Sequence, residues 1–281
     1  MPEKKNLKKT VQRNKPIGIF DSGFGGLTVM SALSKMLPAE NMIYFGDSAH
    51  VPYGSKSKEA VTGFSKDIAG FLISKDVKMI VVACNTASAL ALPVLQKTLK
   101  VPVVGVIEPG AKTAVRATKN KKIGIIGTEG TVNSRTYEKA IKKISRCRVY
   151  TRACPLFVPL VEEGWNSGKI TESIARAYLE PLLAKKIDTL VLGCTHYPLL
   201  KKVIGRIAGK DIELIDSADA TAREVKDILL KNDLLSPEKM PGKRAFYASD
   251  NPEKFKKIGG GFFRGKINKV QKVNLEHKNE I

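Results

Sequence analysis

Two cysteines end matching apolar runs, one in each half of the chain, and this pairing limits the fold more than any other feature. The first closes Ile80-Val81-Val82-Ala83-Cys84 and leads into Asn85-Thr86-Ala87. The second closes Leu190-Val191-Leu192-Gly193-Cys194 and leads into Thr195-His196-Tyr197-Pro198. Runs this apolar and this rich in β-branched residues read as strands buried on both faces, the habit of parallel sheets. In such a sheet the carboxyl ends of the strands face the ligand crevice, so both thiols are expected where ligands bind. Two thiols facing one crevice from opposite sides suit a reaction that removes a proton on one face and returns one on the other.

Strand-like runs alternate with amphipathic stretches along the whole chain, which predicts an α/β architecture with parallel sheets. Strands are expected over Pro16–Phe20, Met42–Phe45, Met79–Ala83, Val103–Val106, Ile123–Ile126, Val149–Arg152, Thr189–Leu192, Glu213–Ile215 and Arg244–Ala248. The helical patterns include Leu27–Met36, Glu59–Lys75, Ala87–Lys97, Ser134–Lys143, Thr171–Ala184 and Ala218–Lys231. A faint repeat runs through them. Ile17-Gly18-Ile19-Phe20 and Ile123-Gly124-Ile125-Ile126 begin 106 residues apart, and Cys84 and Cys194 stand 110 apart. The expected fold is therefore two similar lobes, each a parallel sheet flanked by helices, with an active site in the cleft between them. The division expected is a basic N-terminal extension over 1–15, a first lobe over 16–108 joined by 219–281, and a second lobe over 109–218.

No stretch approaches the roughly 18 consecutive apolar residues of a membrane span, and no apolar segment follows the Lys-rich N-terminus as a signal peptide would require. Four cysteines in 281 residues, with no Cys-x-x-Cys pair and no clustered histidines, indicate neither a disulfide framework nor a metal site. These features describe a cytoplasmic protein with reduced thiols. The net charge of +21 raises the question of nucleic acid, but the basic runs lack interleaved aromatics and no DNA- or RNA-binding signature accompanies them. They read as solvated helix faces, which argues against nucleic acid and a membrane as partners; the chain is compatible with a homodimer.

Several residues can carry chemistry. Asp21 ends the first strand inside Asp21-Ser22-Gly23-Phe24-Gly25-Gly26, whose glycine spacing does not meet the dinucleotide pattern. A thiol is mostly protonated at neutral pH and becomes reactive beside an acceptor or a helix N-terminus; Asp21 is a candidate for that role toward Cys84, and His196 toward Cys194. Glu162 follows the apolar Phe157-Val158-Pro159-Leu160-Val161, where burial would raise a carboxyl's pKa. The tight loop Pro52-Tyr53-Gly54-Ser55 can present backbone N–H groups to an anion. His50 reads as an incidental loop residue, His277 as part of a polar tail, and Cys147 and Cys154 as structural.

Six stretches, in order and spread over about residues 16 to 250, closely resemble the bacterial glutamate racemases, cofactor-independent members of the aspartate/glutamate racemase superfamily. They are Phe20-Asp21-Ser22-Gly23-x-Gly25-Gly26-Leu27-Thr28, Gly46-Asp47-x-Ala49, Pro52-Tyr53-Gly54, Ala83-Cys84-Asn85-Thr86-Ala87, Cys154 through Glu162, and Leu192-Gly193-Cys194-Thr195-His196-Tyr197-Pro198-Leu199. The resemblance implies interconversion of L- and D-glutamate without a cofactor or metal, with D-glutamate feeding peptidoglycan. It implies Cys84 and Cys194 as the acid/base pair, with Asp21 assisting the first and His196 and Glu162 the second. It further implies that Asp21, Ser22, Asn85, Thr86, Thr195 and His196 hold the α-amino and α-carboxylate groups. Pro52, Tyr53 and Gly54 would form the loop that meets the side-chain carboxylate, and Thr128 and Thr131 would line the same pocket.

Overall fold

The structure, a computed structural model, describes residues 10–275; His277 and the lysines before residue 10 lie outside the described residues. After a short helix at residues 10–14 (α1) come β1 (Ile17–Asp21), α2 (Leu27–Met36), β2 (Met42–Gly46), α3 (Lys58–Ser74), β3 (Met79–Val82), α4 (Asn85–Leu90), α5 (Leu92–Thr98) and β4 (Val103–Gly105). The second series runs α6 (Ile107–Ala117), β5 (Lys122–Gly127), α7 (Glu129–Asn133), α8 (Thr136–Ile144), β6 (Arg148–Ala153), α9 (Phe157–Glu162), α10 (Lys169–Leu183), β7 (Thr189–Gly193), α11 (Lys201–Ala208) and β8 (Glu213–Ile215). The chain closes with α12 (Ala218–Lys231), β9 (Arg244–Ala248), α13 (Pro252–Gly259) and β10 (Val270–Lys272).

The strands form two sheets. One has the order β10-β9-β2-β1-β3-β4 and the other β6-β5-β7-β8, and every pairing is parallel. Within the larger sheet the order β2-β1-β3-β4 repeats the smaller sheet's winding strand for strand. The sequence repeat is therefore a repeat of topology, and it puts Cys84 and Cys194 at equivalent strand ends. The last two strands extend the first sheet, with β9 pairing β2 from Met42↔Arg244 to Gly46↔Ala248.

Both faces of each sheet are covered, which explains the continuous apolar runs. In β2, Met42 and Tyr44 face one core while Ile43 and Phe45 face another. In β5, Ile123 and Ile125 face the core under α6 and α8, while Ile126 joins the largest core, which also holds Leu27, Met30, Leu192 and Tyr197. That largest core draws on both sheets and so fixes one lobe against the other. The expected helix over Ala87–Lys97 is two helices, α4 and α5, meeting at Ala91, where Pro93 opens the second. A proline in a helix interior would clash with the preceding turn, whereas the first turn accepts it. Among the described residues no helix is long and apolar enough to cross a membrane.

Residues 13–15 of the expected extension are tied into the first lobe. Lys78, fully buried, pairs with the buried Glu40 at 2.5 Å and donates to the carbonyls of Arg13 and, at 2.8 Å, Leu234. Lys15 pairs with Asp76 at 2.8 Å, and Asn41 donates to the Asn14 carbonyl at 2.9 Å.

Candidate active site

The carboxyl ends of β1, β3, β5 and β7 converge, and a narrow cavity lies between the two sheets there. From the first lobe it is lined by Ser22, Tyr53, Cys84, Asn85 and Thr86, and from the second by Thr128, Val158, Cys194, Thr195 and His196. Val51, Pro52 and Gly54 complete the wall. Gly54 is required by close approach: a Cβ there would lie 2.6 Å from Thr128 Cβ.

Cys84 is the N-cap of α4. Its sulfur accepts from the Ala87 N–H at 3.4 Å and donates to Ser22 Oγ at 3.7 Å. Burial, then the Asp21 carboxylate, push this thiol up to about 12, so it holds its proton at neutral pH. Asp21 is itself fully buried and hydrogen-bonds to the Gly23 N–H at 3.0 Å and to Thr195 Oγ1 at 3.3 Å. Burial raises its pKa, opposed by His196 and by the N–H groups of Gly26 and Gly23. Its hydrogen bonds go to these groups and not to Cys84, so Asp21 acts on Cys84 through space.

Cys194 follows β7, with His196 Nδ1 at 3.9 Å from its sulfur. The other ring nitrogen, Nε2, lies 3.2 Å from Glu162 Oε1 at the end of α9. Burial works against a charged ring here, but the hydrogen bonds to Cys194 and Glu162 outweigh it and lift His196 to about 10. A cationic imidazole is thus placed to steady negative charge on the Cys194 sulfur. Glu162 does not line the cavity; it reaches His196 from behind.

Hydrogen bonds cross the cleft, among them a 3.4 Å contact between the Thr86 and Thr131 hydroxyls. Asp21 meets Thr195, Thr86 Oγ1 meets Thr128 Oγ1 at 2.8 Å, and the Tyr137 hydroxyl donates to Asn85 Oδ1 at 2.8 Å. Thr131 supports this set from the second rank, with its hydroxyl 3.0 Å and its N–H 3.2 Å from Thr128 Oγ1. The Tyr53 hydroxyl turns away from the cavity to Asp47, which also accepts from Ser249 Oγ at 2.7 Å and lies 2.9 Å from His50 Nδ1. His50, read from sequence as incidental, also stacks on Phe64 with ring centroids 4.1 Å apart, and so braces the loop that carries Tyr53.

Sequence reasoning thus reaches every strand-end residue of the site but misses Tyr137, Val51 and Val158, and assigns no task to Asp47. The Gly46-Asp47-x-Ala49 stretch was the only available signal for Asp47; nothing local marks Tyr137. Cys147 and Cys154 are buried away from the cavity, and Cys154 is raised by burial. Among the described residues no three His, Cys, Asp or Glu side chains converge as a metal would require.

The model of the Asp/Glu/hydantoin racemase family matches residues 17–225. A glutamate racemase of Geobacter metallireducens is 54% identical over 267 residues, which cover 95% of this chain and 99% of that protein. Among solved structures, the glutamate racemase of Francisella tularensis in complex with D-glutamate superposes with a TM-score of 0.88 at 40% identity, covering 94% of this chain and 99% of that one. The Thermus thermophilus glutamate racemase in complex with β-chloro-D-alanine does so with a TM-score of 0.86 at 45% identity, with the same two coverages. Cavity, fold and likeness agree: the chain belongs to the Asp/Glu/hydantoin racemase family, among its glutamate racemases, and is an isomerase.

Proposed function

We propose that this chain interconverts L- and D-glutamate with two cysteines and no cofactor, and so supplies D-glutamate for peptidoglycan. The observation that carries this reading is that Cys84 and Cys194, at equivalent ends of two equally wound sheets, line one cavity. The relatives named above are glutamate racemases, one of them solved with D-glutamate. The lobes that enclose the substrate are 16–108 with 219–281, and 109–218.

In this mechanism one thiolate removes the Cα proton and its sulfur becomes S–H. The electron pair left on Cα delocalises into the α-carboxylate. The opposite thiol then gives its proton to the other face of Cα and becomes the thiolate, so the enzyme ends with the two roles exchanged. With L-glutamate, Cys194 is the base, and the His196 cation, held by Glu162, steadies its charge. Cys84, which keeps its proton at neutral pH, is the acid. With D-glutamate the roles reverse and Asp21 assists Cys84. A Cα proton is a very weak acid, and a dry preorganised cavity is what makes its removal feasible without an electron sink. Asp21, Ser22, Asn85, Thr86, Thr195 and His196 hold the α-amino and α-carboxylate groups. Thr128 and Thr131 close the pocket, and the loop Pro52-Tyr53-Gly54 meets the side-chain carboxylate through its backbone N–H groups.

The test is circular dichroism of L-glutamate incubated with the purified chain without added cofactor. The signal should decay to zero, and in heavy water each product should carry deuterium at Cα. A stable signal sinks the reading. Faster decay with L-aspartate than with L-glutamate would move the assignment to an aspartate racemase.

A further inference from the structure

Tyr137 does not line the cavity, yet it touches both cysteine strand ends. It lies on α8 of the second lobe and is 2% exposed. Its hydroxyl meets Asn85, the residue after Cys84, at 2.8 Å. Its ring lies against Gly193, the residue before Cys194: a Cβ on Gly193 would be 3.3 Å from the ring, and one on Gly110 of α6 would be 3.3 Å from the hydroxyl. Two glycines on two elements leave the room this ring occupies.

We propose that Tyr137 is a positioning residue for substrate recognition: by donating to Asn85 Oδ1 it turns the amide so that Asn85 presents its NH2 group, not its carbonyl, to the substrate. An Asn amide has one end that only accepts and one that only donates, so its orientation decides which substrate group it can hold. The bond to Asn85 is the one side-chain hydrogen bond Tyr137 makes among the described residues, and a buried phenol needs an acceptor. Were the amide reversed, the phenol proton would face another donor. Burial also raises the phenol's pKa, so it stays a donor across the working range. With the carbonyl engaged, the NH2 end is the one left to serve the cavity that Asn85 lines. A donor there fits a carboxylate oxygen and repels an ammonium group, so Asn85 holds the α-carboxylate and the α-amino group falls to the other polar residues.

The inference rests on the glutamate racemase reading above, and the experiment separates the two. Racemisation of L- and D-glutamate is measured for wild type, Tyr137→Phe, Asn85→Ala and the double variant, with thermal unfolding in parallel. Tyr137→Phe keeps the ring and removes only the hydroxyl. It should raise KM for both enantiomers about tenfold, the equivalent of roughly 1.4 kcal/mol, with kcat altered less than about threefold, as expected for an interaction equal in ground and transition states. Asn85→Ala should raise KM at least as far, and the double variant no further, because the hydroxyl acts only through the amide. A purely structural role would lower the unfolding midpoint and leave KM alone. Should Tyr137→Phe fail to fold, Asn85→Asp answers the same question: it keeps an acceptor for the hydroxyl and loses the donor, so KM should rise. Wild-type turnover with an unchanged KM in a folded Tyr137→Phe or Asn85→Asp protein, or additive losses in the double variant, overturns the role of Tyr137 alone. No wild-type turnover of glutamate overturns the function and this role with it.

Discussion

The Tyr53 hydroxyl donates to the Asp47 carboxylate at 2.5 Å, beneath the loop that walls one end of the cavity. Asp47 is 2% exposed and gathers Tyr53, Ser249 and His50, so a loop near the middle of the first lobe is held by the C-terminal strand region. Because the hydroxyl is engaged there, the loop has its backbone N–H groups left to offer a substrate carboxylate.

Two variants separate these roles. Tyr53→Phe should lose about 1 kcal/mol of stability, the net worth of one hydrogen bond, while KM for glutamate changes little. Asp47→Ala leaves several donors without their acceptor. It should lose about 1–3 kcal/mol and raise KM by roughly tenfold through misplacement of the loop. Urea unfolding and initial-rate kinetics on both proteins check this. A large rise in KM for Tyr53→Phe would mean that the hydroxyl itself reaches the substrate.

His196 ties stability to pH. Its folded-state pKa lies at about 10, above its ordinary value of 6.5. The folded state therefore keeps a proton that the unfolded state has released once pH exceeds about 6.5, and stability falls as pH rises through that interval. The contribution is complete below about 6.5 and gone above about 10. The urea midpoint of the wild type should drop across this range by an increment that His196→Asn lacks. Glu162→Gln replaces the carboxylate acceptor that favours the cation with a neutral one, so its drop should still begin near 6.5 but finish at lower pH and be smaller. A wild-type profile identical to that of His196→Asn would show that the ring carries no extra proton.

The buried Glu40–Lys78 pair makes a separate prediction, far from the cavity. Breaking a buried pair by removing one partner typically costs about 3–5 kcal/mol, because the other charge is left buried, whereas apolar replacement of both is often neutral. Glu40→Ala should be destabilised to about that extent, and Glu40→Leu with Lys78→Met much less. Truncation after Lys15 should also destabilise the protein, since it removes the Arg13 carbonyl that Lys78 engages and the Asn14 carbonyl that holds Asn41. Thermal melts would show it, and truncation without any shift would mean these contacts are marginal.

The parts of this molecule that sequence reveals are those whose reason is local. All nine expected strands form: the central ones are buried on both faces and so are apolar throughout, while β6 and β8, at the edges of the smaller sheet, are partly exposed. The strand-end places of Asp21, Cys84 and Cys194 are legible in the same apolar runs. β10 was missed because Val270-Gln271-Lys272 is short, largely exposed and polar, a pattern no buried strand shares. α6 was missed because Ile107-Glu108-Pro109-Gly110 reads as a turn; its Pro109 and Gly110 are buried against neighbouring elements instead. The tasks of Tyr137 and Asp47 were hidden for a different reason. Asn85 stands 52 residues from Tyr137 and Ser249 stands 202 from Asp47, and no periodicity or spacing reports such contacts; the nearer Tyr53 and His50 lie in an irregular loop whose hydrogen bonds no pattern announces.

The two thiols can be told apart by experiment. If Cys84 and Cys194 flank Cα, every racemisation needs one as base and the other as acid. Either Cys→Ala change should then lower racemisation by at least ~10³-fold, within the range that proton-transfer groups contribute. Elimination from a substrate with a leaving group at Cβ is less demanding, because the electron pair freed at Cα expels that group and no proton need be returned to Cα. Cys84 faces the proton of D-glutamate in the proposed arrangement. Cys194→Ala should therefore still eliminate from the D-analogue and fail with the L-analogue, and Cys84→Ala should do the reverse. Both variants should keep the wild-type far-ultraviolet spectrum, since each sulfur sits at a strand end and fills little of the core. Equal loss with both enantiomers in both folded variants would overturn the assignment of one thiol to each face. Full racemisation by either variant would overturn the two-thiol mechanism, leaving the family and fold as they stand.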